Sequence, residues 1–177
     1  GMDNPLGLVY DTTNDKLFVM QTNASRVTVY DVASITDGEN ASDLIGQYTD
    51  LSGTTTSYTK SGANNGPNIL GFSTVSSVFG IVIDFVHHRM FIADTANNRV
   101  LVYNLNLSNQ LVDKIPDNVL GQTGFNSNTA ATTQAGMNNP QGLAYDSTND
   151  RLFVAQQTPN RVTVYDVASI TDGENAI

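Results

Sequence analysis

The sequence predicts an all-β fold made of three repeated antiparallel sheets, and three observations carry that prediction. First, residues 1–41 recur almost unchanged as residues 136–176, at an offset of 135; only positions 3, 6, 9, 12, 16, 20 and 22 to 25 differ. Second, a diverged copy lies between them: GIVIDFVHHRMFIADTANNRVLVYN, Gly80 to Asn104, aligns without gaps to GLVYDTTNDKLFVMQTNASRVTVYD, Gly7 to Asp31, at an offset of 73. Third, short β-branched and aromatic runs alternate with Asn, Asp and Gly clusters, the pattern of strands separated by turns. Repeats of this length are supersecondary units that bury their apolar surface only against a neighbouring unit.

Within the first copy, Leu8 to Tyr10 predicts the first strand, and Leu17 to Met20 the second, after the turn Thr12-Thr13-Asn14-Asp15. Val27 to Val32 predicts the third strand, following the polar break Thr22-Asn23-Ala24-Ser25. After the Asp37-Gly38-Glu39-Asn40 turn comes a short fourth strand at Leu44-Ile45, echoed by Val119-Leu120 in the middle copy. These runs are apolar almost continuously, as expected of a sheet covered on both faces. Four-stranded sheets repeated radially, each packed on the next, are the blades of a β-propeller. The blades are expected at about 5–47, 78–122 and 140–177, the last with its outer strand missing or incomplete. Long connections are expected at 48–77 and 123–139. Three blades leave two apolar ends, so the expected assembly is a homodimer that completes a six-bladed ring.

Composition narrows the function classes. Eight basic against 17 acidic residues give a net charge of −9, which repels phosphate backbones and argues against nucleic acid as a partner. No apolar run approaches the ~20 residues of a membrane helix, so no membrane insertion is expected. With no cysteine there is neither a disulfide framework nor a thiol nucleophile, and the compartment stays open, with secretion or a periplasmic location compatible. No export signal is visible. A leading Gly before Met2 is compatible with a tag remnant, and the mirroring of GMDNP by GMNNP at 136 to 140 is compatible with native sequence, so an export signal ahead of it stays open.

The pattern P-x-G-L-x-Y-D-x-x-N-D-[KR]-L-F-V, then a polar turn, N-R-V-x-V-Y-D and [LI]-G-Q, resembles the NHL-repeat family. All three copies carry the resemblance, the middle one most closely through ADTANNRVLVYN at 93 to 104. It implies a six-bladed propeller of bacterial type. It assigns no activity, because the family spans lyases, sensor domains, protein-binding platforms and RNA-binding domains. Two features depart from the pattern: Gln21 and Gln156 replace Asp94 of the middle copy, and the connections Tyr48 to Phe79 and Thr123 to Gln141 are long.

The charges repeat with the blades. Lys16, Arg89 and Arg151 precede the second strand, Arg26, Arg99 and Arg161 begin the third, and Asp11, Asp84 and Asp146 end the first. Recurrence in every blade points to structural hydrogen bonds at Asp11, Arg26, Asp84, Arg99, Asp146 and Arg161; a ring of arginines gripping an anion is the functional counterpart. The two histidines, His87 and His88, are adjacent in one turn, so their side chains diverge and they make weak metal candidates. The Asp-Gly-Glu-Asn turns at 37–40 and 172–175 lack the carboxylate spacing of a calcium loop. Aromatic residues that recur with the blades, such as Phe18, Tyr30, Phe91 and Tyr165, are expected between blades as core. No catalytic residue, metal or cofactor is expected.

An up-and-down meander places the turns 22–25, 95–98 and 157–160 on the face that carries the long connections. Four of the ten differences between the outer copies fall at 22 to 25, so Thr22, Asn23, Asn97, Asn98, Thr158 and Asn160 are the candidate binding face. The expected function is a non-catalytic scaffold for a protein or glycan, in this chain or in a longer propeller containing it. The alternative is a propeller lyase or hydrolase with a metal in the central channel.

Overall fold

A computed structural model describes residues 1–50, 52–62, 68–74 and 80–177. Among them, eleven strands form three antiparallel sheets. The first sheet holds β1 (Pro5–Asp11), β2 (Lys16–Gln21), β3 (Arg26–Asp31) and β4 (Asp43–Ile45) in sequential order. The second repeats it with β5 (Ile81–Asp84), β6 (Arg89–Asp94), β7 (Arg99–Asn104) and β8 (Asn118–Leu120). The third has β9 (Pro140–Asp146), β10 (Arg151–Gln156) and β11 (Arg161–Asp166). Ile177 N donates to Val164 O at 2.8 Å, as Ser42 N does to Val29 O at 2.7 Å in the residue just before β4. The chain is all-β, in antiparallel sheets arranged like the blades of a propeller, and no helix among the described residues is long and apolar enough to cross a membrane.

Registers repeat between blades, so the alternation of side chains does too. Leu17 pairs with Tyr10 and Tyr30, and Leu152 pairs with Tyr145 and Tyr165. Each blade therefore has a leading face, with the positions of Leu17 and Tyr30, and a trailing face, with those of Phe18, Val27 and Val29. The trailing face of the first blade packs on the leading face of the second: Phe18, Met20 and Val27 meet Ile83, Met90 and Ile92. The trailing face of the second blade packs on the leading face of the third, through Phe91, Val100 and Val102 against Leu152, Val154 and Tyr165. Covered on both sides, the middle blade has a β6 that is buried at all six positions. The recurrent aromatics Phe18, Phe91, Tyr103 and Tyr165 are fully buried in these joints.

Candidate functional site

Every third-strand arginine is an anchor for the connections between blades. Arg26 donates from Nη1 to Tyr58 O at 2.7 Å and from Nη2 to Gly1 O at 3.2 Å. Arg99 donates to Asn68 O at 2.8 Å and to Gly71 O, and its Nη1 donates to Phe125 O. Arg161 donates to Thr133 O at 3.1 Å, to Gly136 O at 2.8 Å, and to Thr132 O. A guanidinium with several donors in one plane suits this task, because backbone carbonyls brought in from distant sequence need a fixed fork. The ring of arginines is thus engaged by the protein's own main chain.

Beside each arginine sits the residue ending the second strand. Asp94 Oδ2 accepts from Arg99 Nε at 2.6 Å, and Asp94 also accepts from Ser73 N at 2.7 Å and from Asn97 Nδ2 at 3.0 Å. Both members of this ion pair are fully buried. Burial raises the Asp94 pKa, and the Arg99 charge together with the hydrogen bonds from Ser73 and Asn97 opposes that rise. In the outer blades Gln21 and Gln156 hold the place: Gln21 Oε1 accepts from Asp3 N and from Arg26, and Gln156 Oε1 from Asn138 N and from Arg161.

The first-strand aspartates close turns. Asp11 accepts from Thr13 N at 2.9 Å and from Asn14 Nδ2 at 2.7 Å; Asp146 accepts from Thr148 N at 2.9 Å and from Asn149 Nδ2 at 2.7 Å. In the middle blade Asp84 accepts from Val86 N and His87 N, both at 3.0 Å, with His87 Nδ1 at 3.0 Å in the place of the asparagine amide. Burial acts to raise the Asp84 pKa, but the hydrogen bonds from His87 N, Arg89 and Tyr145 outweigh it and hold the group down at about 2.

Asp84, His87 and Asp150 form the one cluster of possible metal ligands among the described residues, with their donor atoms all within 4.8 Å of one another. His87 Nδ1 lies 3.0 Å from Asp84 and 3.2 Å from Asp150. The Arg89 guanidinium occupies the same knot, paired with Asp84 and 3.8 Å from Asp150, and supplies the positive charge that a cation would bring. His88 stands apart, with Nδ1 2.6 Å from Asn109 Oδ1 and a left-handed backbone, φ 54°, matching Asp15 and Asp150 in the other turns.

The candidate binding face needs a correction. Thr22 is buried; its carbonyl accepts from Thr74 Oγ1 at 2.6 Å and its hydroxyl accepts from Asn4 Nδ2 at 2.7 Å. Asn97 is buried as well and donates both its bonds to Asp94. Neither presents a group to a partner, because the connections fold back over these turns. Asn23, Thr158 and Asn160 are exposed, and Asn98 is half-buried, donating to Asn128 O at 3.0 Å. The connection Tyr48 to Phe79 lies partly outside the described residues.

Gln47 and Gln122, which end the [LI]-G-Q signature, are further anchors for the connections. Gln47 Nε2 donates to Ala24 O at 2.8 Å and Gly62 O at 2.7 Å; Gln122 Nε2 donates to Asn98 O and Thr129 O, both at 2.9 Å. The preceding Gly46 has φ 96°, and a Cβ there would lie 2.7 Å from Ser25 O, so glycine is needed for the strand to exit. Recurrence of the G-Q pair in the two blades was the available signal.

No family model matches the chain, and comparison with curated proteins gives no match. Solved structures do resemble it. A Bacteroides fragilis protein with a provisional 6-phosphogluconolactonase assignment aligns with 98% of this chain and 38% of its own, at 11% identity and TM-score 0.54. A Trichoderma reesei carbohydrate-active enzyme of family AA12 aligns with 99% of this chain and 38% of its own, at 13% identity and TM-score 0.50. The chain spans little more than a third of either, and these likenesses concern the fold alone.

Proposed function

We propose that this chain is an NHL-like propeller module with a non-catalytic binding role, recognising a protein or glycan through the face that carries the long connections. The observation that carries the reading is the occupation of the recurrent charges. Arg26, Arg99 and Arg161 hold main-chain carbonyls, while Asp11, Asp84 and Asp146 close turns, so these positions keep no free acid, base or anion clamp. What the face offers instead is amides and hydroxyls at Asn23, Asn98, Thr158 and Asn160, suited to hydrogen-bonded contacts. In this reading the three blades are part of a six-bladed ring. Arrays of glycans and peptides, probed with the wild-type chain and an Asn23→Ala/Thr158→Ala variant, test it: binding to a defined class, weakened in the variant, is expected. Turnover of an aldonolactone that disappears in Asp84→Asn would overturn it.

A second reading, a metal-dependent propeller hydrolase or lyase, draws on one observation, the Asp84–His87–Asp150 cluster. It requires stoichiometric zinc or calcium in the purified protein and loss of that metal in His87→Ala. Metal analysis separates the two.

A further inference from the structure

The two open faces of the blade row carry the same residues as the two halves of a joint already formed inside it. On the leading face of the first blade, Leu8, Tyr10, Leu17, Val19, Thr28 and Tyr30 recur without a change in the third blade, 135 residues later. There they are covered by the middle blade: Leu152, Val154 and Tyr165, the counterparts of Leu17, Val19 and Tyr30, are completely buried. In the first blade Leu8 is 63% exposed and Tyr10 46% exposed, where Leu143 and Tyr145 of the third are half-buried; Leu17 and Tyr30 are half-buried, while Val19 and Thr28 are buried within the chain already. An open groove of about 640 Å³ borders this face, lined by Leu17, Thr28, Tyr30, Val32 and Ile35. In the third blade the matching positions close on Phe91, Val100 and Val102 of the middle blade.

The opposite end supplies those residues. On the open trailing face of the third blade, Phe153, Ala155, Val162 and Val164 repeat Phe91, Ala93, Val100 and Val102 of the middle blade, Ala144 stands in place of Val82, and Leu120 of β8 has no counterpart. Val162 is 60% exposed, whereas its counterparts Val100 and Val27 are fully buried. Placed against the first blade of another molecule, this face would rebuild the three-strand part of the joint between the second and third blades.

We propose that the open faces are the two halves of one joint, and that a second copy of this chain closes both joints by head-to-tail contact about a two-fold axis, giving a closed ring. The joint between the second and third blades predicts its details. The Phe91–Tyr145 stack, 6.0 Å between centroids, reappears between Phe153 and the partner's Tyr10. The bond from Arg89 to Val167 O reappears between Arg151 and the main chain of the partner's Val32. One part is missing from the new joint. In the existing one, Asp172 accepts from Val119 N at 2.9 Å and Gly173 N donates to Val119 O at 3.0 Å, on the edge of β8; the matching Asp37 and Gly38 find no such strand on the third sheet. Burial of the exposed apolar side chains Leu8, Tyr10 and Val162 drives the intermolecular contact.

Sedimentation velocity of the whole chain at micromolar concentration tests the proposal. The wild type is expected at twice the mass of the chain. Val162→Asp and Leu8→Asp, one on each open face and both at exposed positions that spare the interior, are each expected to give a folded monomer by circular dichroism. Val112→Asp, exposed and remote from both faces, is the control and stays dimeric. A monomeric wild type overturns the proposal, as does an open-ended series of multimers or a dimer that survives both Val162→Asp and Leu8→Asp.

Discussion

The middle blade and its two neighbours solve one mechanical problem with different electrostatics. All three pin a connection with the arginine that begins the third strand. In the middle blade Arg99 is fully buried, its counter-ion is Asp94, and the position facing them across the strand is the apolar Leu101. In the outer blades the arginine's neighbour is glutamine, whose amide needs an acceptor: Gln21 Nε2 donates to Thr28 Oγ1 at 2.7 Å and Gln156 Nε2 to Thr163 Oγ1 at 2.9 Å. Asp with Leu, and Gln with Thr, are thus matched sets. A carboxylate donates nothing and tolerates Leu101, while an amide without its threonine would leave a buried donor unpaired. Arg26 is buried beside the neutral Gln21 and Arg161 is half-buried beside Gln156, so the carboxylate accompanies only the arginine with no exposure at all.

The sharpest way to break this comparison is to write the outer solution into the middle blade. Asp94→Gln leaves Arg99 buried without a counter-charge and an amide facing Leu101; a loss of about 3 to 5 kcal/mol is expected in urea denaturation. Adding Leu101→Thr should restore part of it. A loss below about 1 kcal/mol would make the two solutions interchangeable.

The next largest effect is acid lability. Asp84 is held at about 2, below its usual 3.8, so it contributes stability that is present above pH 4 and is lost as the pH falls towards 2. A shift of that size corresponds to about 2 kcal/mol. Asp11 and Asp146 are lowered too and act in the same direction. The raised Asp94 acts oppositely, its ionisation costing stability as the pH rises. Stability measured from pH 5 to 2 should therefore fall, and Asp84→Asn should flatten that fall; an unchanged slope would reassign the acid-labile group.

Smaller still is Gln21→Ala. It removes the acceptor of Asp3 N and of Arg26, but Arg26 keeps Tyr58 O and Gly1 O, so a loss of about 1 to 2 kcal/mol is expected. The same change in calorimetric midpoint as Asp94→Gln would erase the distinction between blades. Smallest is Lys16→Met, which breaks a surface pair with the half-exposed Asp31; about 0 to 1 kcal/mol is expected by thermal denaturation.

Strands were legible because their signal is local. Leu44-Ile45 and Val119-Leu120 lie within β4 and β8, short as they are, since each is an apolar pair set off by polar turns. The turn-closing donors of Asp11, Asp84 and Asp146 are local too, lying within three residues, although Asp11 also accepts from the distant Asn109 and Asp84 from Arg89. The arginine partners were not. They are main-chain carbonyls 25 to 32 residues away, and a carbonyl carries no residue type to read. Burial of Thr22 and Asn97 has no local signal, because it depends on a connection returning over the turn, with Thr74 reaching Thr22 across 52 residues. The Gln–Thr and Asp–Leu matching was written in the alignment, but its meaning needs the cross-strand register of Gln21, Val19 and Thr28.

Arg99 touches both inter-blade connections at once: Asn68 and Gly71 belong to the one before the middle blade, and Phe125 to the one after it. A single planar cation thus serves as a common hub for two stretches of chain that the sequence keeps more than fifty residues apart. Nη2 holds one stretch and Nη1 the other, so a displacement of the one guanidinium loosens both; amide protons at 68–74 and 122–128 are expected to exchange with solvent as one cooperative unit, and a molecule that orders either stretch passes part of that order to its twin across the blade.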